Sequence, residues 1–149
     1  MILVDLIDRI VSLISEKDIF PELKAVDKYM KIGKGLSLPV CSVETGDFDI
    51  ETDPGTEQLH VAARFEVRVI VGPEAENAQE KVRALAVRIA THIFKMERLN
   101  ENAGPWEIID IEEDVFRPDL SSFLVWLVTV RVPVYNGKSV FEENTNNVE

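Results

Sequence analysis

The chain has 149 residues, of which 46% are hydrophobic and 29% are charged, proportions typical of a single globular domain. Sixteen basic and twenty-seven acidic residues give a formal net charge of −11. This excess argues against a protein that binds DNA tightly, because such binding needs concentrated positive charge. The single cysteine, Cys41, excludes an internal disulfide and a cysteine-cluster metal site. We interpret it as a buried structural residue, because neither histidine has a sequence context that links it to this thiol.

The first predicted element is an N-terminal amphipathic helix that ends near Lys17. Its apolar stripe consists of Ile2, Leu3, Leu6, Ile7, Ile10, Leu13 and Ile14. We expect this stripe to cover one face of a sheet, and the alternative is a helix that docks on a partner. The stretch lacks the basic start and the cleavage site of a signal peptide, and it is too short to span a membrane. We therefore expect a cytoplasmic chain without membrane contact.

The next part of the chain gives weaker signals. Within the stretch from Ile19 to Gly35, a short helix or a loose turn is the interpretation of Leu23, Val26, Tyr29 and Met30. The segment contains the main basic concentration of the chain, which comprises Lys24, Lys28, Lys31 and Lys34. We interpret it as a solvated face, because no glycine-rich loop or aromatic platform accompanies the lysines. Leu38 to Val43 is predicted to be a short strand.

An acidic, turn-rich stretch follows, with Asp47, Asp49 and Glu51 spaced by two. Phe48 and Ile50 alternate with these acids and indicate one arm of a hairpin that turns at Asp53-Pro54-Gly55. A calcium loop would need glycine at its sixth position and glutamate at its twelfth. Counted from Asp47, those positions hold Thr52 and Gln58. The stretch is therefore interpreted as a charged solvent face and not as a metal site.

The clearest pattern runs from Leu59 to Met96. Alternating apolar residues from Leu59 to Val71 predict a half-buried strand whose polar face carries His60, Arg64, Glu66 and Arg68. Gly72-Pro73 ends the strand. An apolar stripe with helical spacing then predicts a long helix over Glu74 to Arg98, with acidic residues in its first turn. Its members are Ala78, Val82, Leu85, Ala86, Ile89, Ile93 and Met96.

Two further strands are predicted near the C-terminus. The first, Trp106 to Ile111, has Ile108 and Ile111 on opposite faces and leads into the acids Glu112, Glu113 and Asp114. With Asp110, these acids are interpreted as solvated and not as a metal site, because no histidine accompanies them. The second, Phe123 to Val134, has one apolar face that includes Trp126, and its first half reads as covered on both faces. Pro133 indicates that the end of this strand lies at an edge of the sheet or leaves the ladder.

These elements predict one α+β domain over residues 1–135, with a mainly antiparallel sheet on which the N-terminal helix and one long helix pack. Residues 136–149 are polar and are expected to form a flexible tail. The sequence has no nucleophile elbow, phosphate loop, zinc motif or dinucleotide turn. We therefore expect no enzymatic activity, no cofactor and no metal.

The order and pattern of the elements resemble a known family. They are the N-terminal helix, Leu38-Pro39-Val40-Cys41-Ser42-Val43, the alternating strand from His60 to Val71, the helix from Glu74 to Arg98, and the tryptophan-containing strand from Phe123 to Val132. Over residues 1–135 this resembles the tail terminator and minor tail proteins of long-tailed bacteriophages and prophages. The resemblance implies a subunit of a ring, usually a hexamer, that caps the tail tube and joins the head. It carries no catalytic residues.

The implied partners are further copies of the chain, the tail tube protein and the head–tail connector proteins. The chain would assemble in the host cytoplasm and reside in the virion tail. A ring needs a heterologous interface, in which two different surfaces meet. We take the basic surface Arg64, Arg68 and Arg131 and the acidic surface Asp47, Asp49 and Glu51 as candidates. Changing Arg64 and Arg68 to glutamate is expected to leave the monomer folded and to impair assembly.

The alternative class is a small anion- or ligand-binding protein or enzyme. It would use the face that carries His60, Arg64, Arg68 and Arg131, because these side chains can bind an anion.

Overall fold

The computed structural model describes residues 2–33, 35–52, 59–95, 106–114 and 123–134. In these ranges the chain forms, in order, α1 (Ile2–Ile14), β1 (Ala25–Lys28), β2 (Val40–Thr52), β3 (Leu59–Val71), α2 (Ala78–Phe94), β4 (Glu107–Glu113) and β5 (Leu124–Val134). The expected α+β class is confirmed. The predictions for Lys34, the turn 53–55, Met96, Arg98 and the tail 136–149 lie outside the described residues.

The five strands form one sheet with the order β1-β2-β3-β5-β4. β1 is parallel to β2, and every other neighbouring pair is antiparallel. β3 is central: it pairs with β2 as a hairpin and with β5 along eleven residues from Val61 to Val71. The sheet is therefore mainly antiparallel, as expected.

Both helices pack on one face of the sheet. Leu6, Ile10 and Ile14 of α1 are at most 1% exposed, and they share one hydrophobic core with the buried positions of α2. The alternating positions of β3, with Phe65 at their centre, complete that core. The prediction that the stripe of α1 covers the sheet is confirmed.

A smaller apolar cluster lies on the opposite face, at one end of the sheet. Val40, Ile70 and Val125 form it, and Met30 and further residues of the 30–38 segment pack on them. The Met30 N–H also donates to the buried Ser42 hydroxyl at 3.0 Å. The first half of β5 is therefore covered on both faces, as the sequence predicted.

Residues 25–28 form a strand, so the interpretation of this segment as a helix or turn is wrong. The Lys24 N–H donates to the Pro39 carbonyl at 2.8 Å, and the Tyr29 N–H donates to the Val43 carbonyl at 3.0 Å. These bonds come from a distant part of the chain, and they decide the structure because the local pattern is weak.

The short strand and the hairpin arm are one strand, β2, with 13 residues. A bulge between Thr45 and Phe48 shifts the register with β3, so that the two predicted segments can belong to one continuous strand. Gly46 lies in this bulge, and a Cβ there would meet the Cγ of Glu66 at 3.3 Å. The bulge allows residues on both of its sides to face the core.

Two further boundaries differ from the sequence predictions. α2 begins at Ala78 rather than at Glu74, and Asn77 before it has a φ of 55°. The acid in its first turn is therefore Glu80. In β4 a bulge between Ile108 and Asp110 places Ile108 and Ile111 on the same core, whereas strict alternation put them on opposite faces.

The C-terminal strand follows its prediction more closely. Trp126 packs against the core but is only partly buried, and the Cζ of Arg83 lies 5.3 Å from the centre of its ring. β4 pairs with β5 only as far as Arg131. Pro133 remains paired with Ala62 of β3, so β5 does not leave that ladder. Among the described residues it lies beyond the β4 ladder, so β5 is an edge strand at this point, which is the other alternative that the proline indicated.

Candidate functional surface on the open face of the sheet

The part of the open face beyond the small apolar cluster is covered by charged side chains. We call it the charged belt; it comprises Glu44, Asp49, Arg64, Glu66, Arg68, Glu107, Asp114 and Arg131. The period of two along β3 directs Arg64, Glu66 and Arg68 to this face, since the residues between them point into the core. The three belt residues of β3 thus follow directly from the alternation.

Arg68 is the centre of one half of the belt, and its side chain is only 8% exposed. Its Nε donates to Asp114 at 2.7 Å, and its two terminal nitrogens donate to Glu44 at 2.9 Å and Glu66 at 3.1 Å. One guanidinium therefore connects β2, β3 and the end of β4. Burial alone would lower the pKa of Arg68, but the hydrogen bond to Asp114 and the surrounding carboxylate charges raise it.

The other half of the belt is built around Asp49. Arg64 and Arg131 face each other directly across β3 and β5, an arrangement that is repulsive for like charges. The Oδ2 of Asp49 accepts from the Nε of Arg64 at 3.1 Å and from the Nε of Arg131 at 2.8 Å. Arg131 also donates to Glu107 at 3.2 Å. Asp49 therefore offsets the repulsion between the two arginines.

The stability of the fold should depend on the charge of Asp49. Its hydrogen bonds from Arg131 and Arg64 lower its pKa. Since the folded-state pKa is depressed, the stabilisation is present above the unfolded-state pKa and is lost as the pH falls through the folded-state value. Asp49→Asn should therefore flatten the acid side of the stability profile, measured by urea denaturation between neutral and acidic pH.

Asp47→Asn is the matched control for this prediction. Asp47 lies in the same strand, is exposed, and forms no ion pair with any described residue. The control should keep the wild-type profile. If the free energy of unfolding of Asp49→Asn falls with pH as steeply as that of wild type, the ion pairs of Asp49 with Arg64 and Arg131 do not stabilise the fold.

The structure brings together four of the six residues predicted for the subunit interface. Arg64 and Arg131 both contact Asp49 of the same chain, and Arg68 lies in the same belt. Asp47 is exposed beside them. Glu51 lies opposite His60 in the β2–β3 register, and their side chains are outside the description. The contact of these residues with another subunit stays a prediction.

Sequence reasoning missed three partners in the belt, namely Glu107, Asp114 and Glu44. Asp114 was interpreted as solvated, but its side chain is only 7% exposed and lies against Arg68. Glu44 was assigned to the acidic turn-rich stretch, although it lies on β2 directly opposite Glu66. The alternation of β2 could have indicated Glu44, whereas no local signal brings Asp114 to Arg68.

The belt has little capacity to bind an external anion. Arg64, Arg68 and Arg131 all donate to carboxylates of the same chain, so a ligand would have to displace those partners. A separate cavity of roughly 480 Å³ lies between α2 and the Leu38-Pro39 turn, with Lys81 and Arg88 on its wall. Arg88 is already paired with Glu22 at 2.5 Å. Neither place presents a cluster of available cations.

Other chemical groups were also located. Cys41 is fully buried, and burial raises the pKa of its thiol to about 12, as expected for a structural cysteine. Within the described ranges, no three His, Cys, Asp or Glu side chains are grouped as metal ligands. None of the described helices is long and apolar enough to cross a membrane.

Comparison with known proteins adds one likeness. No family model matches the chain, and no curated protein matches it. Among solved structures, it is similar to a chain of the virion of a native gene transfer agent particle. The TM-score is 0.53 and the identity is 12%, over 84% of this chain and 83% of that chain. At this identity the likeness shows a shared fold, and the coverage shows that it extends over most of both chains.

Proposed function

We propose that this chain is a structural protein of a phage-like virion, and more specifically a ring-forming tail terminator subunit that caps the tail tube and supports head–tail joining. The observation that carries the proposal is the fold likeness, over 84% of the chain, to a component of a gene transfer agent virion. The element order over residues 1–135 supports the same class, because it resembles that of tail terminators. A hexamer is the expected ring.

The charge of the chain is compatible with this role. A ring through which DNA passes should not bind it, and a net charge of −11 per subunit repels the phosphate backbone. The belt arginines are paired with carboxylates and therefore offer little binding to phosphates. The proposed partners are further copies of the chain, the tail tube protein and the head–tail connector proteins, during assembly in the host cytoplasm and in the finished tail.

The competing class, an anion- or ligand-binding protein or enzyme on the Arg64, Arg68 and Arg131 face, gains no support from the site. The three guanidinium groups already have partners. We propose that the chain has no catalytic role and no cofactor.

The test is to delete the gene in a cell that produces the particle and to examine the products by electron microscopy. A terminator is expected to be required for tails of defined length that carry heads. Deletion should therefore give tails of irregular length that remain separate from filled heads, and wild-type expression from a plasmid should restore normal particles.

Two results would distinguish the possible roles. Tails of normal length that still join heads in the absence of the protein would overturn the terminator proposal. Complete loss of tails, with tube and baseplate proteins unassembled, would assign the chain to an earlier step and make it a different virion component.

A further inference from the structure

The two edges of the sheet differ in charge: acids predominate at one edge and lysines at the other. β4, at one edge, contains the exposed acids Glu107, Asp110, Glu112 and Glu113 and no basic residue. β1, at the other edge, lies between Lys24 and Lys31, which are exposed; it contains the exposed Asp27 and ends at Lys28, whose Nζ is paired with Asp8 of α1 at 2.6 Å. Among the described residues, no strand pairs with the outer side of either β1 or β4. Both edges therefore leave backbone hydrogen-bonding groups for another chain.

An apolar groove lies beside the basic edge. It has a volume of roughly 180 Å³ and lies between the end of α1 and β1, with Ile14, Phe20, Leu23 and Val26 among its apolar lining residues. Lys17 and Lys24 supply its charges, and no acidic residue lines it. The Nζ of Lys17 is held in place because it donates to the Leu23 carbonyl at 2.9 Å. The groove thus suits an apolar side chain that is flanked by carboxylates.

The acidic edge presents such a side chain. The β4 bulge leaves Ile109 without a partner in the β5 register. Ile109 is half-buried and belongs to neither hydrophobic cluster, whereas Ile108 and Ile111 pack on the core. Asp110, Glu112 and Glu113 follow it and form no ion pair with any described residue.

We propose that copies of this chain associate head to tail through their sheet edges, with β4 of one copy beside β1 of the next. Ile109 enters the groove beside β1, and the acids of β4 face Lys17 and Lys24. This inference rests on the proposed ring and names the surfaces that form it. Because the belt charges are largely satisfied within the chain, the interface lies at the edges of the sheet.

Charge also decides against symmetric pairing of like edges. Two β4 edges would place carboxylates against carboxylates, and two β1 edges would place lysines against lysines. The heterologous contact alone brings opposite charges together. Since the two edges lie at opposite ends of one sheet, repetition of this contact continues from copy to copy and can close into a ring.

The test uses two charge-reversal variants. The basic-edge variant is Lys17→Glu with Lys24→Glu, and the acidic-edge variant is Glu112→Lys with Glu113→Lys. Each is measured by native mass spectrometry and sedimentation at low salt, where wild type is expected to form the ring. Each variant alone should have a subunit dissociation constant raised at least about tenfold, because every contact then joins like charges.

An equimolar mixture of the two variants should restore assembly. Each contact in the mixture again joins an acidic edge to a basic edge, and the chain with all four changes should assemble by itself. Lys81→Glu with Lys95→Glu is the control for the basic-edge variant, because it makes the same change in net charge at exposed positions of α2 and its C-cap. It should assemble like wild type.

The outcomes separate this inference from the proposed function. Oligomers of wild-type size in both reversal variants would overturn the edge contact and leave the ring standing. A wild-type protein that stays monomeric up to millimolar concentration would also overturn the edge contact. The terminator role would then still be tested separately by the deletion assay. Normal folding of each variant is verified by circular dichroism and thermal unfolding.

Discussion

Arg68→Met is expected to destabilise the folded protein by about 3–5 kcal/mol, because it removes one partner of a buried ion pair. The Arg68 side chain is 8% exposed and the Asp114 side chain 7%. Methionine keeps much of the side-chain length but donates no hydrogen bond, so the bonds from Arg68 to Asp114, Glu44 and Glu66 are lost. The measurement is the free energy of unfolding from urea denaturation at neutral pH.

Arg64→Met is the matched control for Arg68→Met. Arg64 lies in the same strand and on the same face, but its side chain is 38% exposed and it shares Asp49 with Arg131. A loss of about 0–1 kcal/mol is expected, as for other solvent-exposed ion pairs. Equal losses of unfolding free energy in the two variants would show that burial does not determine how much each belt arginine stabilises the fold.

The burial of Arg68 also revises a sequence-based expectation. The alternation of β3 placed Arg64 and Arg68 together on a polar face, so that both could be reversed in a folded monomer. Arg68→Glu would instead place a fourth carboxylate beside Glu44, Glu66 and Asp114. A test of assembly must therefore leave Arg68 in place and change exposed residues.

Ile10→Ala is expected to destabilise the protein by about 2–5 kcal/mol, because it leaves a cavity between α1 and the sheet. The Ile10 side chain is fully buried in the main core. This variant also tests the alternative role of α1 as a helix that docks on a partner, since a detached helix would tolerate the change. Thermal and urea unfolding give the measurement.

Val4→Ala is the control for Ile10→Ala. Val4 lies on the same helix but is 44% exposed, and its loss should change stability by no more than about 0.5 kcal/mol. If Ile10→Ala reduces the free energy of unfolding no more than Val4→Ala does, α1 does not contribute to the core in solution, and its apolar face is available to a partner.

The sequence by itself determined the elements that depend on neighbouring residues. The alternation along β3, the stripe of α1 and the apolar stripe that begins at Ala78 each repeat at the period of one secondary structure. These patterns are sufficient for the α+β class and for the face on which Arg64 and Arg68 lie. The pattern of β5 itself also predicts that both faces of its first half are covered.

The tertiary structure alone decided the features that depend on residues distant in the chain. β1 has only four residues, and it is a strand because β2 supplies its hydrogen bonds. The bulge in β4 turns Ile109 out of the ladder, and strict alternation cannot predict it. The strand order brings Asp114 to Arg68 and separates the acidic and basic edges. These features follow from strand pairing across the fold, which local periodicity does not encode.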